Sequence, residues 1–429
     1  MWMPSKTASL VITLFLLAAP AFAANTTELD LNALITEALT ENHEVLMANE
    51  KVFTAEFKIP QAGALPDPMF MFGYQNESWN RYTLGEMQGA QWMFSLSQTI
   101  PYPGKLALKE EMLTNESLSL KESAKGVKFR TVARIKELYY SLLYSTLFID
   151  TIQKRIALFS KVEDAALARY SSGMGAQQDV LMAQTEKYMA IEKEVMEKQR
   201  IQSLEGMLNV TMGREVNSPL GKPVKKAVVP YKHTLEELIK VTYDNSPEIK
   251  AREKMLDAAK TKIAMAKKEF YPDVTLSAAV AKRTPPFEDM WSLTATVNIP
   301  LFNKQKLDMG VMQARSEASS TTHELDAYKY MASSALREFL SMVKAAETLT
   351  DLYQNVMIPK AYQEFELSLS SYISGKSDAL TVVSRLKLLL DYEILYNRQY
   401  TEREKAIAQI EAIMAADTLI SNAKGEQLK

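Results

Sequence analysis

The stretch Met290-Trp291-Ser292-Leu293-Thr294-Ala295-Thr296-Val297-Asn298-Ile299-Pro300 alternates without a break. Trp291, Leu293, Ala295, Val297 and Ile299 fall on one face, and Ser292, Thr294, Thr296 and Asn298 on the other. A period of two predicts a strand over 291–299. One face of Trp and aliphatics opposite one of hydroxyls suits a wall with hydrocarbon on one side and water on the other. A second alternating run, 273–281, precedes it and puts Val274, Leu276, Ala278 and Val280 on one side, so the two read as a hairpin around Lys282 to Asp289. About 200 residues earlier the pattern occurs again. Strands are expected over 68–75, with Phe70, Phe72 and Tyr74 together, and over 91–99, with Trp92, Phe94 and Leu96 together.

The recurrence extends beyond the strands. Leu31, Leu34, Ile35, Glu44 and Val45 return as Leu235, Leu238, Ile239, Glu248 and Ile249. Trp92 with Ile100-Pro101 returns as Trp291 with Ile299-Pro300, and Tyr170-Ser171-Ser172-Gly173 as Tyr372-Ile373-Ser374-Gly375. Landmarks in the same order divide the chain into a first repeat over 24–216, a Pro-rich crossover over 217–232, a second repeat over 233–416 and a polar tail over 417–429. Outside the strands the pattern is helical. Long helices are expected over 106–171 and 305–370, the second containing Pro359, with return helices over 177–213 and 377–416 and leading helices over 30–64 and 234–268. Ile135, Leu142, Ile149 and Ile156 recur every seven residues, with Leu138, Ile152, Phe159 and Ala166 between them, which is a coiled-coil seam. The lengths suggest a wall in which one continuous helix runs beside two stacked ones.

Composition removes several function classes. Fifty basic and 52 acidic residues leave a formal charge of −2, which gives no reason to expect nucleic acid. With no cysteine there is no disulfide, thiolate metal site, thiol nucleophile or lipidated Cys. His43, His233 and His323 are scattered, and Glu41 and Glu44 beside His43 read as a solvated helix face. Gly375-Lys376-Ser377 lacks the earlier glycine that a phosphate loop requires, position 370 being Ser. No catalytic constellation stands out, so the expectation is not an enzyme. Residues 1–23 read as a secretory signal, with Lys6, an apolar run from Leu10 to Ala19, and cleavage between Ala23 and Ala24. No later segment is long and apolar enough to span as a helix. Any entry into a membrane must therefore use strands. Unpaired strand edges are not tolerated in hydrocarbon, and four strands are too few to close, so several copies must share one barrel.

The chain resembles the outer membrane efflux protein family, the TolC-like outer membrane factors. The resemblance rests on the duplicated helix-strand-strand-helix-helix unit and on Gln98-Thr99-Ile100-Pro101-Tyr102-Pro103-Gly104-Lys105. Further support comes from Tyr170 and Gly173 with Asp179-Val180-Leu181, and from Leu208-Asn209 followed by Met212-Gly213-Arg214. The family implies a fold that is mainly α with a transmembrane β part: an internally duplicated long-helix α-barrel plus four β-strands per chain in a shared 12-stranded trimeric barrel. It implies an outer membrane channel in a tripartite efflux system, a homotrimer whose periplasmic tip meets an adaptor (membrane fusion) protein and an inner membrane pump of RND type. The solute then passes without chemistry or cofactor. An exit duct for type I protein secretion and a periplasmic helical scaffold outside any membrane are the competing readings.

By the same resemblance the tip turns are Tyr170, Gly173 and Gly375, and the tip is held by a link in which the Tyr372 phenol donates to Asp179. Asp179 as a solvated residue favoured by the helix dipole is the alternative. Some relatives carry acidic residues on the lumen side of the tip where this chain has Thr381 and Ser384, with Asp378 nearby. The Ala64-Leu65-Pro66-Asp67-Pro68 run and the Pro101-to-Lys105 step look closest to the heavy-metal cation branch. Met69, Met71 and Met93 share the face opposite the aromatics, where thioethers could touch Cu(I) or Ag(I); adaptable packing is the commoner role of Met. No dedicated metal site is expected.

Overall fold

The computed structural model describes residues 28–300 and 304–415. The signal, its Ala23/Ala24 cleavage step and the 417–429 tail lie outside the described residues. Four strands, β1 (Met69–Gln75), β2 (Gln91–Ile100), β3 (Val274–Lys282) and β4 (Met290–Val297), form one antiparallel sheet in the order β1-β2-β3-β4. The register carries the alternation straight across the sheet. Phe72, Phe94, Val280 and Trp291 form one row, and Phe70, Leu96, Ala278 and Leu293 the next on the same face. On the reverse face Met69, Ser97, Ser277 and Thr294 form a row beside Met71, Ser95, Ala279 and Ser292. Phe72 stacks on Trp92 at 5.2 Å between ring centres and Tyr82 on Tyr74 at 5.1 Å, while every residue of β4 is exposed. Among the described residues β1 and β4 each keep one edge unpaired.

The helices extend from this sheet. α3 (Lys105–Ser171) runs unbroken, and at 1.5 Å per residue it is roughly 100 Å long. Its N-terminal half packs against α2 (His43–Gly63) and α6 (Pro247–Lys268), its C-terminal half against α4 (Gln177–Met212) and α9 (Ala379–Met414). α7 (Lys304–Leu352) lies against α6 and α9, and α8 (Ile358–Ile373) against α9. Leu138, Ile152, Phe159 and Ala166 of the seam are buried. Ser145 completes that heptad row, buried, with its hydroxyl unpartnered.

Three helices that the sequence pattern shows as continuous are interrupted, each for a local reason. The first leading helix divides at Asn42 into α1 (Leu31–Glu41) and α2, because the extended Asn42 turns its side chain onto the amides of Glu44 and Val45. Its Nδ2 donates to Thr211 O at 2.7 Å, pinning the break to the end of α4. The second divides at Ser246, before Pro247, into α5 (Leu235–Asn245) and α6, since a residue preceding proline is pushed away from helical backbone. Between α7 and α8 lies a π turn, Tyr353–Met357. Pro359 offers no N–H and its ring crowds the carbonyl four residues back, so the helix widens there.

The 217–232 crossover is strapped across the middle of the helices. Val224 N donates to Tyr139 Oη at 3.1 Å, Lys226 N to Tyr400 Oη at 3.1 Å, and Arg403 Nη2 to Val229 O. Leu29 N bonds Lys222 O at 2.9 Å, bringing the start of the described chain onto the same strap.

Candidate functional site

Two places carry the arrangement that matters: the end of the helices away from the sheet, and the sheet itself. At the helical end the two hairpins turn identically. Gly173 and Gly375 have φ of +74° and +78°, the left-handed region that closes a helix C-terminus cheaply only for glycine. Met174 N then bonds Arg169 O at 2.9 Å, and Lys376 N bonds Ser371 O at 2.8 Å. The αL requirement leaves a glycine in the same place in both hairpins.

These turns place Asp179, in the first turn of α4, opposite Tyr372, in the last turn of α8. Tyr372 Oη donates to Asp179 Oδ2 at 3.1 Å. The ring sits in a core with Phe365, Val382 and Leu386 of the second repeat and Val180 and Ala183 of the first. Burial, with the bond to Asp179 adding to it, pushes the phenol up to about 12. Arg169 was not visible in the sequence. Its guanidinium lies 4.7 Å from the Tyr372 ring centre, donates to Tyr372 O, and donates to Met174 O at 3.0 Å. A ring face and two carbonyls leave no charge pattern to read, so no spacing signal could have found it.

The other tip candidates bond within their own helix. Asp378 caps α9, accepting from Thr381 N at 2.6 Å, and its bonds from Thr381 hold the carboxyl below the usual carboxylate range. Ser384 Oγ donates to Thr381 O at 2.9 Å. Tyr170 is exposed. Above the tip the repeats are cross-linked again by Lys387 with Glu186 at 2.8 Å and Arg155 with Asp391 at 3.1 Å. Glu41, His43 and Glu44 are all exposed. Among the described residues no group of three His, Cys, Asp or Glu side chains is placed to hold a metal ion, and no helix is long and apolar enough to cross a membrane.

Where sheet meets helix, the Pro101-to-Lys105 step of the first repeat clasps Pro272-Asp273 of the second. Tyr102 N donates to Asp273 Oδ1 at 2.7 Å, Lys105 Nζ lies 3.0 Å from the same carboxylate, and Tyr102 stacks on Tyr271 at 4.5 Å. Burial works to raise the Asp273 carboxyl, but the Tyr102 amide and Lys105 together hold it below the usual range. The Leu208-to-Arg214 motif is a second clasp. Asn209 Nδ2 donates to Val216 O and Ser218 O, Gly213 has a φ of +84°, and Arg214 grips Glu37 with Nε and Nη2 at 2.5 Å each.

The family model for outer membrane efflux proteins matches residues 238–415, the body of the second repeat. Over that stretch the chain is similar to the outer membrane efflux proteins. The chain is also similar to the cation efflux system protein CusC of Escherichia coli, 21% identical with 86% of this chain and 84% of that protein covered. The solvent efflux pump outer membrane protein SrpC of Pseudomonas putida is 21% identical over 72% of this chain and 67% of its own. Among solved structures, the Campylobacter jejuni CmeC outer membrane channel covers 99% of this chain and 97% of its own at a TM-score of 0.78 and 12% identity, which fixes the fold. The proteins it resembles are named as outer membrane proteins and channels.

Proposed function

We propose that the protein is the outer membrane channel of a tripartite efflux system, a homotrimer that passively conducts solutes handed to it by a periplasmic adaptor and an inner membrane pump of RND type. One observation carries the reading. A four-stranded sheet with one apolar face, one hydroxyl-rich face and two unpaired edges can be stable in hydrocarbon only if copies join β4 of one to β1 of the next. Three copies give the twelve strands of a closed wall. A scaffold that stays out of the membrane would leave Phe70, Phe72, Trp291 and Leu293 largely exposed to water. Relatives named for cation and for solvent efflux support metal cations or drug-like compounds as cargo, with the choice made by the pump. The Tyr372–Asp179 bond, with Arg169 behind it, serves as the latch of a closed tip. Size-exclusion chromatography in detergent tests the assembly: a trimer is expected, and a monomer indifferent to detergent overturns the proposal.

A further inference from the structure

Four methionines stand on the hydroxyl face of the sheet. Met69 and Met71 lie on β1, Met93 on β2 and Met290 on β4. Met69, Met71 and Met290 are 61%, 54% and 51% exposed, so packing does not explain them. Thioethers standing in water next to Ser95, Ser97, Ser292 and Thr294 are out of keeping with a face otherwise built to be wetted.

Their register is equally informative. Met93 pairs with Gly73, and Met71 with Ser95, so Met71 and Met93 are diagonal neighbours, within reach of each other for long side chains. Gly73 has no side chain of its own, and Met93 lies across it, its Cε 3.8 Å from where a Gly73 side chain would begin. Met69 continues the line two residues along β1. Met290 lies in the row of Gly73, Met93 and Ala281, at the strand that closure brings against β1 of a second copy. No strand residue on this face is an Asp, Glu, Lys, Arg or His. A cation passing here meets hydroxyls, two glutamines and thioethers, and of these only the thioethers discriminate, by preferring soft monovalent ions.

From this we infer that Met69, Met71 and Met93, extended by Met290, form a thioether band on the conduit wall that takes Cu(I) or Ag(I) in transit. The band rests on the proposal above that the hydroxyl face lines the conduit, and it adds a soft-metal contact that the channel reading alone does not contain. Ag(I), added as the nitrate in chloride-free buffer to the full-length protein purified in detergent, is the probe. Metal retained per chain after desalting is measured for the wild type, for M69L/M71L/M93L, and for M196L at an exposed helical methionine. Leucine keeps the bulk and removes the sulfur. Single M71L and M93L variants provide the same comparison should the triple variant fail to assemble. The expected result is Ag(I) retention by wild type and M196L, lost in the triple variant and lowered in each single one, with no retention of Zn(II) attributable to these positions. Equal retention in wild type and the Leu variants, or none in the wild type, overturns the band. Single-channel recording of the wild type in KCl separates the two claims. Conductance steps without Ag(I) retention remove the band alone, whereas an absence of any conductance removes the conduit on which it rests.

Discussion

At the scale of single residues one phenol, Tyr372, bonds the end of the second-repeat hairpin to Asp179 of the first. Tyr372 is neutral wherever its bond to Asp179 can form, and burial raises its pKa to about 12. A tyrosine whose folded-state value lies above the ordinary value of 10 contributes fully below pH 10. That contribution is lost as the pH climbs toward 12 and the phenolate faces a carboxylate. Stability followed by circular dichroism is therefore expected to stay level to about pH 10 and to fall beyond it, and Y372F is expected to shrink that alkaline limb without abolishing it, since burial also raises Tyr139, Tyr140, Tyr231 and Tyr400. Replacing Asp179 or Tyr372 by Ala is expected to raise single-channel conductance in planar bilayers; unchanged conductance would show that the pair is not a latch. Arg169 matters in a different way, since it donates to carbonyls of both turns and lies over the ring. An R169A channel should open as D179A does, and R169K less so, because an ammonium cannot reproduce the planar fork.

Among the elements, the interruptions are as informative as the helices. Asn42 caps α2 and bonds Thr211 O, so N42A removes both and is expected to cost about 1–2 kcal/mol, read as a lower thermal midpoint. Gly213 allows less. An added Cβ would stand 2.6 Å from Glu41 O, in a left-handed backbone that already disfavours side chains. G213A is therefore expected to destabilise the protein more than G173A, whose added carbon meets nothing within 4 Å. Both comparisons need only thermal unfolding followed by circular dichroism. The interruptions were poorly legible in advance. Pro247 and Pro359 were plain in the sequence. A proline, however, specifies only a lost donor and a crowded carbonyl, and whether a helix breaks or widens into a π turn depends on what packs around it.

For the whole molecule, everything turns on the two open edges of the sheet. L293R places a guanidinium in the middle of the apolar face, and a charge there costs roughly 2–4 kcal/mol near the bilayer midplane. It is expected to reduce the trimer recovered from outer membranes while leaving the helical signal of the purified chain intact. The same substitution at Ser292, on the opposite face, should be tolerated. Equal recovery of both would mean that the faces have been assigned the wrong way round.

What the sequence determined by itself was whatever is periodic or repeated. Trp291 to Ile299 alternates because a strand at an interface must. The heptads of α3 recur because a seam must be filled, and Gly173 and Gly375 recur because the αL turn excludes side chains. These are constraints between near neighbours along the chain, so they are written in spacing. The tertiary structure alone decided the joining of the two hairpins into one sheet through β2 and β3, the Asp273 clasp on Tyr102 and Lys105, the strap bonds to Tyr139 and Tyr400, and the place of Arg169. Each of these partners lies far away in sequence or accepts through a carbonyl or a ring face. Interactions of that kind impose no period on the residues that make them, so they become visible only when folding has brought the two halves together.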